Sequence, residues 1–157
     1  MKSNATLKTW TIASLSLVLI IDSVGIGIIF PLLGPLFFGQ TSIISHASLA
    51  LRELYYGLTI AIFPVFMFFG APFLGDLSDY IGRKKVLLFS LYGSAVGLAI
   101  LMFGVILKSV GLLIFGRAFL GVLAASQATA QATMIDISTP TNRAINLSYV
   151  SIANNVG

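Results

Sequence analysis

Cysteine is absent from the 157 residues, so the chain has no disulfide framework, no thiol nucleophile and no thiolate metal site. Histidine occurs once, at His46, and one imidazole cannot hold a metal alone, so no metal ligands are nominated. Charge is scarce: 9% of positions are charged against 57% hydrophobic, and mean hydropathy is +1.01. A water-soluble domain carries about a quarter charged residues, so this chain cannot cover a surface in water. With no thiol, no His pair and no nucleophile beside a base, there are no catalytic residues to name, and the chain reads as not an enzyme. A net charge of +4 could suggest nucleic acid. Here the few cations sit between apolar runs, so membrane topology explains them and no nucleic-acid partner is expected.

Long apolar runs are what the sequence has instead. About 20 helical residues, at about 1.5 Å each, cross a hydrocarbon core about 30 Å thick. Runs of that kind cover approximately 11–36, 54–75, 86–107 and 110–135, broken only by Asp22 and Arg117. Another uncharged stretch, 144–157, is fourteen residues long and too short to cross. The expected fold is an all-α membrane protein of four transmembrane helices plus a truncated fifth. Pro31 and Pro35 are expected to end regular helix in the first run, while Pro64 and Pro72 can kink the second. The first run is too long for a signal peptide and lacks a cleavage site. With the amino terminus inside, Lys2, Lys8, Arg83, Lys84, Lys85 and Arg143 fall on the inner side, and only Arg52 and Lys108 outside. That asymmetry predicts a multi-pass protein with a cytoplasmic amino terminus, embedded in the cytoplasmic (inner) membrane. The lipid bilayer is its first partner.

Between the second and third runs lies Gly75-Asp76-Leu77-Ser78-Asp79-Tyr80-Ile81-Gly82-Arg83-Lys84-Lys85. Gly75 and Asp79 share a helix face, Gly75 permits a close backbone approach, and Gly82 can stop the helix and turn the chain. Any short inner loop collects cations, which accounts for Arg83, Lys84 and Lys85 but not for the spaced acids and glycines. The segment GDLSDYIGRKKVLL resembles the loop signature of the major facilitator superfamily, G-x-L-x-D-R-x-G-R-[KR]-x-x-[LI]. Gly75, Leu77, Asp79, Gly82, Arg83, Lys84 and Leu88 match; Tyr80 departs, standing where a basic residue is frequent. The resemblance implies a conformational-switch loop in which Asp79, Arg83 and Asp136 form a network at the inner face.

Asp22 and Arg117 are charged groups inside apolar runs, where each costs about 2.5–3.5 kcal/mol on insertion scales and therefore faces a cavity or a partner. Asp22 lies about 16 Å from the inner end of its run and Arg117 about 12 Å from the outer end of its own, depths that nearly coincide. Their helices are three spans apart and run in opposite directions, as in inverted three-helix repeats. Blander readings stay open: a protonated Asp22 bonded within its own helix, and an Arg117 that snorkels to the interface. Gln131 falls on Arg117's side of the fourth span and Gln127 near its edge, while Gly121, Ala125, Ala128 and Ala132 suit a packing seam.

IIDSVGIGIIFPLLGPL and LLIFGRAFLGVLAASQATAQATMID resemble the first and fourth spans of the drug–proton antiporters of that superfamily, of the tetracycline and multidrug efflux kind. The resemblance implies the amino-terminal part of a major facilitator fold, and a proton-coupled transporter of small molecules working by alternating access. It implies a proton gradient as coupling ion with no bound cofactor, and a coupling cavity that includes Asp22, Arg117, Gln127 and Gln131. It also implies carboxy-terminal helices of the same transporter as partners, without which the 157 residues are expected not to transport. A small four-helix oligomeric transporter, or an inactive truncated remnant, are the alternatives.

Overall fold

The computed structural model describes residues 2–40, 42–124, 126–136, 138 and 142–156. They form six helices: α1 (Lys2–Phe38), α2 (Leu49–Ile81), α3 (Arg83–Ile106), α4 (Val110–Leu123), α5 (Ser126–Asp136) and α6 (Arg143–Val156). Segments Ile12–Phe38, Leu49–Ile81 and Arg83–Ile106 are each long and apolar enough to cross a membrane, and α4 is a shorter apolar helix.

Local chemistry sets the ends. The Ser48 and Ser109 hydroxyls cap α2 and α4 by accepting from Leu51 N–H and Leu112 N–H, each at 3.4 Å. Gly82, at φ 98°, separates α2 from α3 in a conformation that side-chain-bearing residues rarely adopt. Arg52 ties down the loop before α2, donating from Nε to the Ala47 carbonyl at 3.1 Å and from Nη2 to the Ser45 carbonyl.

Two stretches differ from the sequence expectation. Pro31 and Pro35 do not end α1, which runs on to Phe38 with both prolines inside it. Membrane helices tolerate such breaks because neighbouring helices can re-satisfy the freed backbone groups. The run 110–135 divides into α4 and α5, with Ala124 as the α4 C-cap. Past Leu123 the residues become polar, and hydroxyls there bond to the backbone, as Thr133 Oγ1 does to the Thr129 carbonyl at 2.7 Å.

The packing is apolar outside and mixed inside. Phe68, Phe69 and Phe73 stand exposed in a row on α2, whereas Thr59, Ser78, Ser90 and Arg117 are buried. That inversion suits a hydrocarbon surround, where exposed apolar surface costs nothing. One core joins Ile29, Leu33 and Phe37 of α1 to Leu101, Leu113 and Leu120 of α3 and α4. A second, at the other end, joins Leu15 and Leu19 to Met134 of α5 and Val150 of α6. Between α1 and α3 an open groove of about 440 Å³ is walled by apolar residues, among them Ile29, Leu33, Leu98 and Val105.

The closest seam is α2 against α4. A methyl added at Gly70 would overlap the Val122 carbonyl and lie 2.6 Å from Val122 Cα; one added at Gly121 would lie 2.5 Å from the Phe63 carbonyl oxygen. The two backbones therefore touch, which only residues without a Cβ permit.

Candidate functional site

Arg117 sits on the buried face of α4, 1% exposed, one helical turn before Gly121. The glycine brings α2 close enough for the guanidinium to lie against its backbone. Nε donates to the Thr59 carbonyl at 3.1 Å and Nη2 points at the Ile60 carbonyl at 3.5 Å. Cζ lies 4.6 Å from the centre of the Phe63 ring, a cation–π contact strengthened by the lack of competing water. Thr59 is fully buried beneath it, its own hydroxyl bonded to the Tyr55 carbonyl at 2.7 Å. Nη1 is buried and, among the described residues, has no hydrogen-bond partner. Arg117 thus does not snorkel: it is folded into the α2–α4 seam, about 12 Å along the helix from Ser109.

Asp22 lies within α1, but its side chain, like those of Gln127 and Gln131 in α5, falls outside the described residues. Arg117's described partners are therefore all on α2.

At the turn between α2 and α3, Arg83 Nε meets Asp136 Oδ2 at 2.7 Å and Nη2 approaches Asp79 Oδ1 at 3.6 Å. One guanidinium thus joins the end of α2, the start of α3 and the end of α5. Lys84 is exposed beside it, and Gly82 supplies the turn that aims Arg83. Among the described residues Gly75 makes no close approach: an added methyl would meet none of them within 4 Å. Gly70, further up the same helix, makes that approach instead, because α4 crosses α2 there. Tyr80 points away into open space.

Sequence reasoning found the buried cation but missed its receptors, the Thr59 and Ile60 carbonyls and the Phe63 ring. Backbone acceptors carry no sequence signature. A proline at 64 in an apolar run was the available clue, since it leaves the carbonyl four residues earlier without its helical donor.

Apolar-out helices, with a guanidinium sealed between two of them and an ion-paired turn between α2 and α3, define a multi-pass membrane protein. The chain belongs to the Major Facilitator Superfamily, whose family model matches residues 15–157. It is 35% identical over 127 residues to the tetracycline resistance protein, class H, of Pasteurella multocida, an overlap of 81% of this chain and 30% of that one. It is 36% identical over 137 residues to the class C protein of Escherichia coli, covering 87% and 32%. With the multidrug resistance protein MdtG of Proteus mirabilis it shares 37% over 99 residues, 63% of this chain and 23% of that one. The chain spans about a third of the length of the tetracycline resistance proteins it matches. No solved structure matches it.

Proposed function

We propose that these residues are the amino-terminal portion of a proton-coupled efflux transporter for a small, drug-like molecule, working by alternating access in the cytoplasmic membrane. The observation that carries the reading is Arg117: a cation sealed between spans, held on two carbonyls with Nη1 left over. Membrane proteins keep such residues for ion and substrate pathways. Asp22 is the protonatable partner in this reading, and Gln127 and Gln131 line the same polar cavity. Protonation of Asp22 changes how strongly it attracts Arg117, and with that the preference between inward-open and outward-open states. Gly75, Asp79, Gly82, Arg83, Lys84 and Asp136 form the switch at the cytoplasmic face, where breaking and remaking the Arg83 pairs accompanies opening. The amino terminus is cytoplasmic, and the opposite wall of the cavity comes from carboxy-terminal helices beyond these 157 residues.

The relatives' names make tetracycline the natural probe. In proteoliposomes under an imposed pH gradient, the transporter with its remaining helices accumulates tetracycline, and the 157-residue chain alone does not. Asp22→Asn abolishes accumulation driven by the gradient while the protein still inserts and still binds the drug. Gradient-driven accumulation by Asp22→Asn at the unaltered rate would remove Asp22 from the mechanism, and flux through the lone chain would end the fragment reading.

A further inference from the structure

Arg117 is charged and buried, and its two receptors are main-chain carbonyls of a helix. A helix ordinarily has few to spare, because each carbonyl accepts the amide hydrogen four residues on. For Ile60 that donor would come from position 64, and position 64 is proline, inside α2. Proline has no amide hydrogen, and its ring also pushes against the carbonyl four residues before it. The Ile60 oxygen is therefore left without its helical donor at the depth where Arg117 Nη2 points at it. One residue earlier, the Thr59 oxygen keeps a second lone pair and accepts Nε at 3.1 Å. Phe63, next to the proline, closes the receptor with its ring face 4.6 Å from Cζ.

We propose that Pro64 is a positioning residue for Arg117: by withholding one helical hydrogen bond it makes the Ile60 carbonyl part of a receptor for the guanidinium in the membrane. The receptor takes up Nε and Nη2 and leaves Nη1, which fixes the side of the guanidinium that meets any acid. Pro72, in the same helix, serves as an internal control. The carbonyl it would free belongs to Phe68, whose ring faces the hydrocarbon surround, and none of the described contacts of Arg117 involves it. The inference deepens the coupling role given to Arg117 and rests on that reading for its consequence, though not for its geometry.

The test uses the chain in lipid bilayers, with ¹⁵N-arginine and ¹³C-carbonyl isoleucine, and solid-state NMR with no gradient and no substrate. The unaltered chain shows a dipolar contact between an Arg117 Nη and the Ile60 carbonyl, assigned by its loss in Arg117→Lys. Pro64→Ala restores the amide donor, weakens that contact and speeds hydrogen exchange at Arg117 Nη2 by about tenfold, the scale of one hydrogen bond to a charged group. Pro72→Ala leaves both readings as they were. Absence of the contact in the unaltered chain overturns the proposal, as does its survival at full strength in Pro64→Ala or an equal loss in Pro72→Ala. If Pro64→Ala does not insert, Pro64→Gly also carries the amide donor and is read by the same two quantities. A negative result here removes Pro64 and leaves the coupling role of Arg117 to the flux measurement, so the two failures are distinguishable.

Discussion

A guanidinium needs five donors satisfied or solvated, and at the depth of Arg117 the nearest acceptors are the carbonyls of the neighbouring helix. Two glycines make them reachable. Gly70 and Gly121 let α2 and α4 touch backbone to backbone, and a methyl at Gly70 meets main-chain atoms of Val122 that cannot swing aside. Gly70→Ala should therefore destabilise the chain by about 1–3 kcal/mol, seen as a lower unfolding midpoint in detergent titration. At Gly93→Ala the nearest atoms belong to the Leu123 side chain and not to backbone, so the midpoint should shift by less than in Gly70→Ala. Equal shifts in the two variants would mean the seam is looser than the structure has it. At this scale the sequence was legible where burial is costly and illegible where contact partners decide. Arg117 stands out in an uncharged run, whereas nothing in the residue names of Thr59 or Ile60 says that their carbonyls receive it.

Among the elements, the long apolar runs marked the three helices that are long and apolar enough to cross a membrane, because hydrocarbon length leaves so little choice. Boundaries were harder. α2 extends well before Leu54 and past Gly75, since a helix can continue into the interface beyond its apolar stretch. The fourth run breaks near Ala124, where small and hydroxyl residues replace leucines and local hydrogen bonds compete with regular helix. The turn at Gly82 was legible because a glycine between a long apolar run and a basic cluster can stop a helix, and Gly82 stands at φ 98° there. Its ion pairs are unequal. Asp136 meets Arg83 at 2.7 Å and belongs to another helix, whereas Asp79 stands at 3.6 Å beside the same turn. Asp136→Asn should separate the end of α5 from the start of α3, measured as a longer spin-label distance, and Asp79→Asn should do so less. Both pairs are partly exposed, so each contributes no more than about 1 kcal/mol and weakens with added salt. A larger effect from Asp79→Asn would reverse their ranking.

For the molecule as a whole, cysteine's absence is an experimental asset, because any thiol introduced is unique. Tyr80, 92% exposed at the end of α2, and Lys108, also exposed and just past Ile106, flank the two ends of α3. In oriented vesicles, Tyr80→Cys and Lys108→Cys should react with a membrane-impermeant maleimide from opposite sides, with position 80 on the cytoplasmic side. Labelling of both from one side would contradict α3 as a crossing helix. The charge pattern predicts that orientation from Lys and Arg alone.

The seam between α2 and α4 also bears on how such a chain is made. α4 packs chiefly on α2 and α3, whereas the main partner of α1 is α6. Chains emerge from the ribosome amino terminus first, at about 5–20 residues per second. Once Leu123 has entered the bilayer, α2, α3 and α4 have one another and can close around Arg117. The first helix to be made meets α3 and α4 through one of its ends by then, but its main partner is the last of these six. The nascent chain would thus pass through a stage with its arginine already housed and its opening helix still without the helix it packs on most.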